Sequence, residues 1–196
     1  MAEGDQAGGG KPPRPRLARH PLFWIAVIAL APIVASYSVY YFFPRAPSAN
    51  YGQLLPTAPI AGIDGTRADG SPFRLDGLRG RWVLVALGDG ACDAGCERRL
   101  YATRQARTMQ GKEQERIVRV LLLTSDQKPA PGLLAQHPGL IVARIPDAAG
   151  ARFPGGAHML YLVDPLGNLV LAYPENPDIK GIAKDLTRLL KASQIG

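Results

Sequence analysis

The stretch Trp82-Val-Leu-Val-Ala-Leu-Gly-Asp-Gly-Ala-Cys92-Asp-Ala-Gly-Cys96 decides how this chain is read. Residues 82–87 form an unbroken apolar run of strand length, the pattern of a strand covered on both faces. Residues 88–91 have turn composition. From 93 to 110 there is no proline and one glycine, Gly95, and most side chains are good helix formers. The two cysteines therefore stand just after a buried strand, at or near the start of a helix. The helix has a weak apolar stripe. Leu100, Thr103 and Ala106 share a face on which Arg99 and Arg107 intrude, while Arg98 and Arg104 can stay solvated. Gly111 suits a C-terminal cap.

Downstream, 116–124 reads as a second buried strand. Residues 125–138 read as a loop with a short helix around Leu133, and 140–145 as a third strand. Residues 158–163 and 168–173 flank Asp164-Pro-Leu-Gly167, the signature of a type I turn, and form a hairpin. Residues 178–192 place Ile179, Ile182, Ala183, Leu186, Leu189 and Leu190 on one face of a closing helix. Upstream, short apolar pieces and turn dipeptides at 60–75 read as a small hairpin. Helices between buried strands imply parallel pairing through right-handed crossovers, and the late hairpin adds antiparallel strands. The expected fold is α/β, a mixed sheet with helices on both faces.

Before this domain lies one stretch, 22–43, without a charged residue. Twenty-two helical residues cover about 33 Å, enough for a hydrocarbon core of about 30 Å. Lys11, Arg14, Arg16 and Arg19 precede it and Arg45 alone follows closely, so the positive-inside bias keeps the N-terminal arm in the cytoplasm. Trp24 at one end and Tyr37, Tyr40 and Tyr41 at the other suit interfacial belts, and Pro32 is expected to kink the span. A cleaved signal peptide competes with the anchor. The apolar core is long for one, and Ile33-Val-Ala35 offers a large residue where a small one is wanted. Residues 1–21 read as a disordered cytoplasmic tail, 44–57 as a linker, and 58–196 as the compact domain.

The chain has 196 residues, 46% of them hydrophobic, with 18 Pro, 22 Gly and two Cys. That composition excludes a disordered, collagenous or disulfide-dense chain, and a single apolar stretch excludes a multispanning transporter. The net charge is +7, but residues 46–196 hold 18 Lys and Arg against 14 Asp and Glu, a net +4. No basic run is interleaved with aromatics, so nucleic acid is not an expected partner.

Beyond the membrane Cys92 and Cys96 meet an oxidising compartment. A helix N-terminus favours thiolate, and positions i and i+4 share a helical face. The pair suits a disulfide, thiol–disulfide exchange, or a soft metal such as Cu(I). A purely structural disulfide is the plain alternative, and a five-residue loop would then stabilise little. Two cysteines exclude a four-thiolate zinc site. His158, at the start of its strand, can complete a three-ligand copper site or be a strand-edge side chain bonded to solvent or backbone. His137 reads as a solvated loop histidine. Asp126 falls at the carboxyl end of the second buried strand, where open sheets gather functional groups. Asp89 and Asp93 bracket the first thiol as caps or as charges that raise its pKa.

Together Gly80-Arg-Trp-Val-Leu-Val, Cys92-Asp-Ala-Gly-Cys96, Thr124-Ser-Asp126 and Tyr161-Leu-Val-Asp-Pro-Leu-Gly167, behind a single anchor, resemble the Sco/SenC family over residues 58–190. Those proteins are thioredoxin-fold assembly factors for the copper site of cytochrome c oxidase. The C-x-x-x-C spacing is the specific part. The resemblance implies a thioredoxin-like fold, copper held by Cys92, Cys96 and His158, and an oxidase subunit as partner. It also implies a single-pass protein of the bacterial inner membrane with its C-terminal domain in the periplasm. Aligned without a gap the family histidine falls at Gly156, and Asp93 and Glu97 replace the prolines that follow each cysteine. Thiol–disulfide oxidoreduction by the same two cysteines, without stable metal binding, is the alternative.

Overall fold

The computed structural model describes residues 21–42, 50–88, 90, 92–127, 129 and 131–193. The basic cluster of residues 11–19, His20, most of the tail, residue 43 of the expected anchor, residues 44–49 of the expected linker and Asp89 lie outside the described residues. The chain divides into two units, 1–47 and 48–196. In the first, α1 (Pro21–Phe42) is a 22-residue helix with Pro32 inside it. Its Phe23, Trp24, Ile25 and Ile28 side chains are exposed. Side chains are described without a break over 23–39, and among the described residues no helix is long and apolar enough to cross a membrane. The structure gives the helix, not the span.

In the second unit the described strands are β1 (Gln53–Pro59), β2 (Asp64–Arg67), β3 (Pro72–Arg74), β4 (Trp82–Gly88), β5 (Ile117–Leu123), β6 (Leu140–Arg144), β7 (Leu160–Val163) and β8 (Asn168–Tyr173). They form one sheet in the order β1-β8-β7-β4-β5-β6-β2-β3. The helices are α2 (Ala94–Thr108), α3 (Pro131–Gln136), α4 (Asp147–Gly150) and α5 (Ile179–Ala192).

All seven residues of β4, a continuous apolar run, are buried, and so are all seven of β5, including Arg119 in its middle. The two pair in parallel, Val85 opposite Val120, across the α2 crossover, and β6 adds in parallel on the far side of β5. β7 runs antiparallel to β4, with Tyr161 opposite Val85. The β7–β8 turn closes as its sequence dictates. Gly167 N–H donates to the Asp164 carbonyl at 3.0 Å, and the Asp164 carboxylate accepts from Leu166 and Asn168 N–H at 2.9 and 2.8 Å.

The alternation of side chains along the strands builds two cores. Leu84, Leu121 and Leu162 face Leu100, Leu133, Leu186 and Leu190, so α2, α3 and α5 all lie on one face. Val85, Val120 and Tyr161 face Ile63, Phe73 and Phe153 on the other, against which short α4 packs through Ala149. The expectation of helices on both faces thus holds unevenly.

Two elements differ from expectation. A strand, β1, occupies 53–59, starting within the stretch 44–57 expected as linker and running two residues into the expected domain, and pairs with β8 across an irregularity between Leu54 and Ala58. Nearby, the buried Asp185 carboxylate of α5 accepts from the N–H groups of Tyr51 and Gly52 at 2.9 and 2.8 Å. The second difference is at 158–159. These residues are not strand; Gly156–His158 is a 3-10 turn and β7 starts at Leu160.

Candidate functional site

β4 ends at Gly88, and the chain turns through Gly90 (φ 131°) to Cys92 (φ 51°). A side chain in that left-handed region crowds its own carbonyl, at a cost of roughly 1–2 kcal/mol. Asp93 returns to an extended backbone and caps α2, its carboxylate accepting from the Cys96 N–H at 2.8 Å. Cys96 is thus the third residue of the helix. Cys92 and Cys96 are joined as a disulfide with Cα atoms 5.1 Å apart.

The expected pairing of two sulfurs at a helix start is met. Both residues are buried: Cys96 is 2% exposed and Cys92 6%. Cys96 packs against Gly88, where an added Cβ would lie 3.8 Å from Sγ. What surface remains belongs mainly to Cys92.

Around this first turn stand four polar groups. A Cβ on Gly95 would meet Glu175 Oε1 at 3.2 Å, Asp93 Oδ1 at 3.3 Å and Arg99 Nη1 at 3.4 Å. His158 Nδ1 lies 3.8 Å from Glu175 Oε1. The Cys96 N–H bond, with Arg99 and His158 adding, holds the Asp93 carboxyl below the usual range, so it caps as an anion. Arg99 is 2% exposed and its Nη2 donates to the Ala157 carbonyl at 3.0 Å, with Leu87 O at 3.5 Å. One buried guanidinium therefore spans the end of β4 and the turn that carries His158. That turn is pinned from below by Tyr161, whose hydroxyl donates to Pro154 O at 2.6 Å and lies 3.1 Å from Gly156 O. Burial pushes the Tyr161 hydroxyl up to about 12, so it remains a donor.

His158 is a correction to the sequence reading. It sits on the 3-10 turn rather than a strand face, its side chain 70% exposed and directed to Glu175. Among the described residues no three His, Cys, Asp or Glu side chains gather into a group that could hold a metal. The structure joins Cys92 to Cys96 and does not assemble the three-ligand set with His158. His137 is a second correction, being buried at 5% exposure rather than solvated. Asp126 takes no part in the site; its exposed carboxylate pairs with Arg144. Arg99 was visible in the sequence as a charge on the apolar stripe. Glu175 was missed, since Pro174-Glu-Asn-Pro177 carries only turn composition.

A family model described as "Transmembrane-like, thioredoxin-like, C-terminal domain" matches residues 82–193. A search of curated protein sequences returns no match. Among solved structures, apo Sco1 from Thermus thermophilus superposes with a TM-score of 0.59 at 22% identity, covering 72% of this chain and 97% of that one. Yeast Sco1 with copper bound gives 0.58 at 18% identity, covering 75% and 96%. BsSco gives 0.50 at 15%, covering 72% and 98%; it is described as a member of the Sco family of cytochrome c oxidase assembly proteins with a disulfide switch. At these identities the likeness is one of fold.

Proposed function

The chain belongs to the family of transmembrane-like, thioredoxin-like C-terminal domains, and on that premise we propose that it is a membrane-anchored periplasmic assembly factor. It delivers copper to, or keeps reduced the thiols of, the copper site of a cytochrome c oxidase subunit. The observation that carries this reading is the C-x-x-x-C pair, Cys92 and Cys96, bonded across the first turn of α2 on a fold shared with Sco structures.

The chemistry follows from the pair. In its reduced form the more exposed Cys92 attacks a partner disulfide as thiolate, forming a mixed disulfide and releasing one partner thiol. Cys96 then attacks the Cys92 sulfur, releasing the second partner thiol. The partner gains two electrons and the Cys92–Cys96 bond seen here is the product; a thiol reductant of the same compartment resets it. Copper enters as cargo. The reduced pair offers two soft donors on one turn, enough for Cu(I), and His158 joins only by leaving Glu175. The anchor of this reading is the uncharged stretch 22–43, whose 22 residues as a helix would cover about 33 Å.

An anaerobic Cu(I) titration of the reduced full chain tests the copper reading. One equivalent is expected, lost in Cys92→Gly with Cys96→Ser and weakened in His158→Ala. Absence of stoichiometric uptake removes copper delivery. Thiol–disulfide exchange alone is the second reading, favoured by the formed disulfide and by the ungathered His158; it requires exchange rates unchanged in His158→Ala. Alkaline extraction of membranes tests the anchor, with the chain expected in the pellet and a chain lacking residues 1–43 in the supernatant.

A further inference from the structure

We propose that the cavity between α3, the C-terminal ends of β5 and β6 and the β2–β3 turn is a docking pocket for an apolar side chain of the thiol–disulfide partner, carried two or three residues from the partner's reacting cysteine. The inference rests on the exchange proposed at Cys92. The cavity measures about 620 Å³, within the roughly 300–1,000 Å³ of ligand pockets. Leu123 of β5 and Val142 of β6 line its floor, 4% and 7% exposed, and Leu134 of α3, 44% exposed, stands at its side. A large apolar side chain left open beside an apolar floor favours an apolar occupant.

The charges at the rim point the same way, because they answer one another. Arg144 pairs with Asp126. Arg67 lies near Asp69, whose carboxyl is held below its ordinary range by bonds from Ser71 and then by the Arg67 charge. Arg67 and Arg144 against Asp69 and Asp126 leave no net charge for an ionic ligand to neutralise.

The occupant is a polypeptide because of where the pocket lies. Gly90, two residues before Cys92, packs on its wall: a Cβ there would strike Ser125 Oγ and lie 2.6 Å from Gln127 Cβ. Ser125 and Gln127 also line the cavity, so the cysteine loop and the pocket share one wall. β5 and β7 flank β4 on opposite sides, which puts this wall across the loop from the turn that carries His158. In the order of the sheet the floor lies one and two strands from β4, about 5 and 10 Å at the usual spacing. An extended chain advances about 3.3 Å per residue. A partner joined to Cys92 and laid across the strand ends therefore reaches the floor with its second or third residue.

The test uses two peptides with one cysteine each, one carrying leucine two and three residues to either side of it and one carrying serine there. Each is presented to the reduced full chain, in phosphatidylcholine nanodiscs, as its mixed disulfide with thionitrobenzoate. The Cys92 thiolate attacks the peptide sulfur and thionitrobenzoate leaves; Cys96 then displaces the peptide thiol. The leucine peptide is expected to react about tenfold faster than the serine peptide. That ratio should fall to near one in Leu134→Gln and in Ala68→Glu, exposed positions of the lining where a polar group spares the fold. A ratio near one in the unaltered chain, or one that survives both substitutions, overturns the proposal. A second arm removes the thiol chemistry: cysteine-to-serine versions of both peptides are titrated while the Leu134 and Val142 methyl resonances are followed by NMR. Saturable shifts with the leucine peptide alone support the pocket, and their absence overturns it. Equal shifts from N-acetyl-leucine amide at the same concentration overturn the polypeptide occupant. Shifts without any exchange keep the pocket and remove the exchange reading at Cys92.

Discussion

Arg99 is the side chain on which the chemistry of the site turns. Its guanidinium is buried and bonded to the turn before His158, and it lies beside Gly95 and Asp93. A fixed cation of this kind favours an ionised sulfur one turn away. Arg99→Met is expected to raise the apparent pKa of the reactive thiol in the reduced protein by about one unit, with Arg99→Lys recovering part of it. The pH dependence of iodoacetamide alkylation measures this. His137 makes a second prediction at this scale. Its folded pKa is lowered, so the unfolded chain binds the proton more readily; stability is complete above the ordinary value of 6.5 and declines as pH falls through the lowered folded value. His137→Leu should flatten that decline in urea titrations at a series of pH values. The sequence exposed Arg99 as an intruder on an apolar stripe but hid its purpose, since the groups it serves lie at positions 87 and 157. His137 misled for the opposite reason. A Gln-His-Pro-Gly turn looks solvated, yet the α3–β6 turn tucks its imidazole inward.

Among the elements, α2 depends on a cap the sequence already spelled. Asp93 is ionised below its ordinary range, so its contribution is present above the unfolded value of 3.8 and lost as pH falls through the lowered folded value. Asp93→Ala should lower the melting temperature near neutral pH, and the gap should close in acid, as circular dichroism would show. Strands and helices with strong periodicity, β4, β5 and α5, were legible because burial on fixed faces writes the pattern directly. β1 was not. Leu54-Leu-Pro-Thr-Ala-Pro is mostly exposed and holds two prolines, which an edge strand tolerates and a sequence reading discounts. The missed start of β7 has a different cause. Gly155 and Gly156, at φ 92° and 73°, bend the chain just before His158, and the Tyr161 hydroxyl holds the bend. Tyr161→Phe should loosen that turn and speed amide hydrogen exchange at Ala157 and His158 while leaving α5 unchanged.

Across the whole domain, the beginning and the end are joined at one carboxylate. Asp185 takes both N–H groups at residues 51 and 52, and Tyr51 seals the joint. Its ring packs where a Gly181 side chain would stand, and its hydroxyl accepts from Asp178 N–H at 2.8 Å. Asp185→Ala orphans two donors and should cost roughly 2–4 kcal/mol in urea unfolding, with Asp185→Asn milder. The mixed sheet and its central strands were visible in the sequence at this scale; the closure was not, because it joins positions more than 130 residues apart.

The backbone at Cys92 has a practical corollary for genetics. Serine, the customary blank for a cysteine, would inherit the left-handed torsion without the crosslink that ties the loop to α2, so a Cys92→Ser allele confounds a missing sulfur with a misfitting loop. Glycine adopts φ near 51° without penalty. Cys92→Gly is therefore the cleaner null, and divergence between the two alleles would report the loop rather than the thiol.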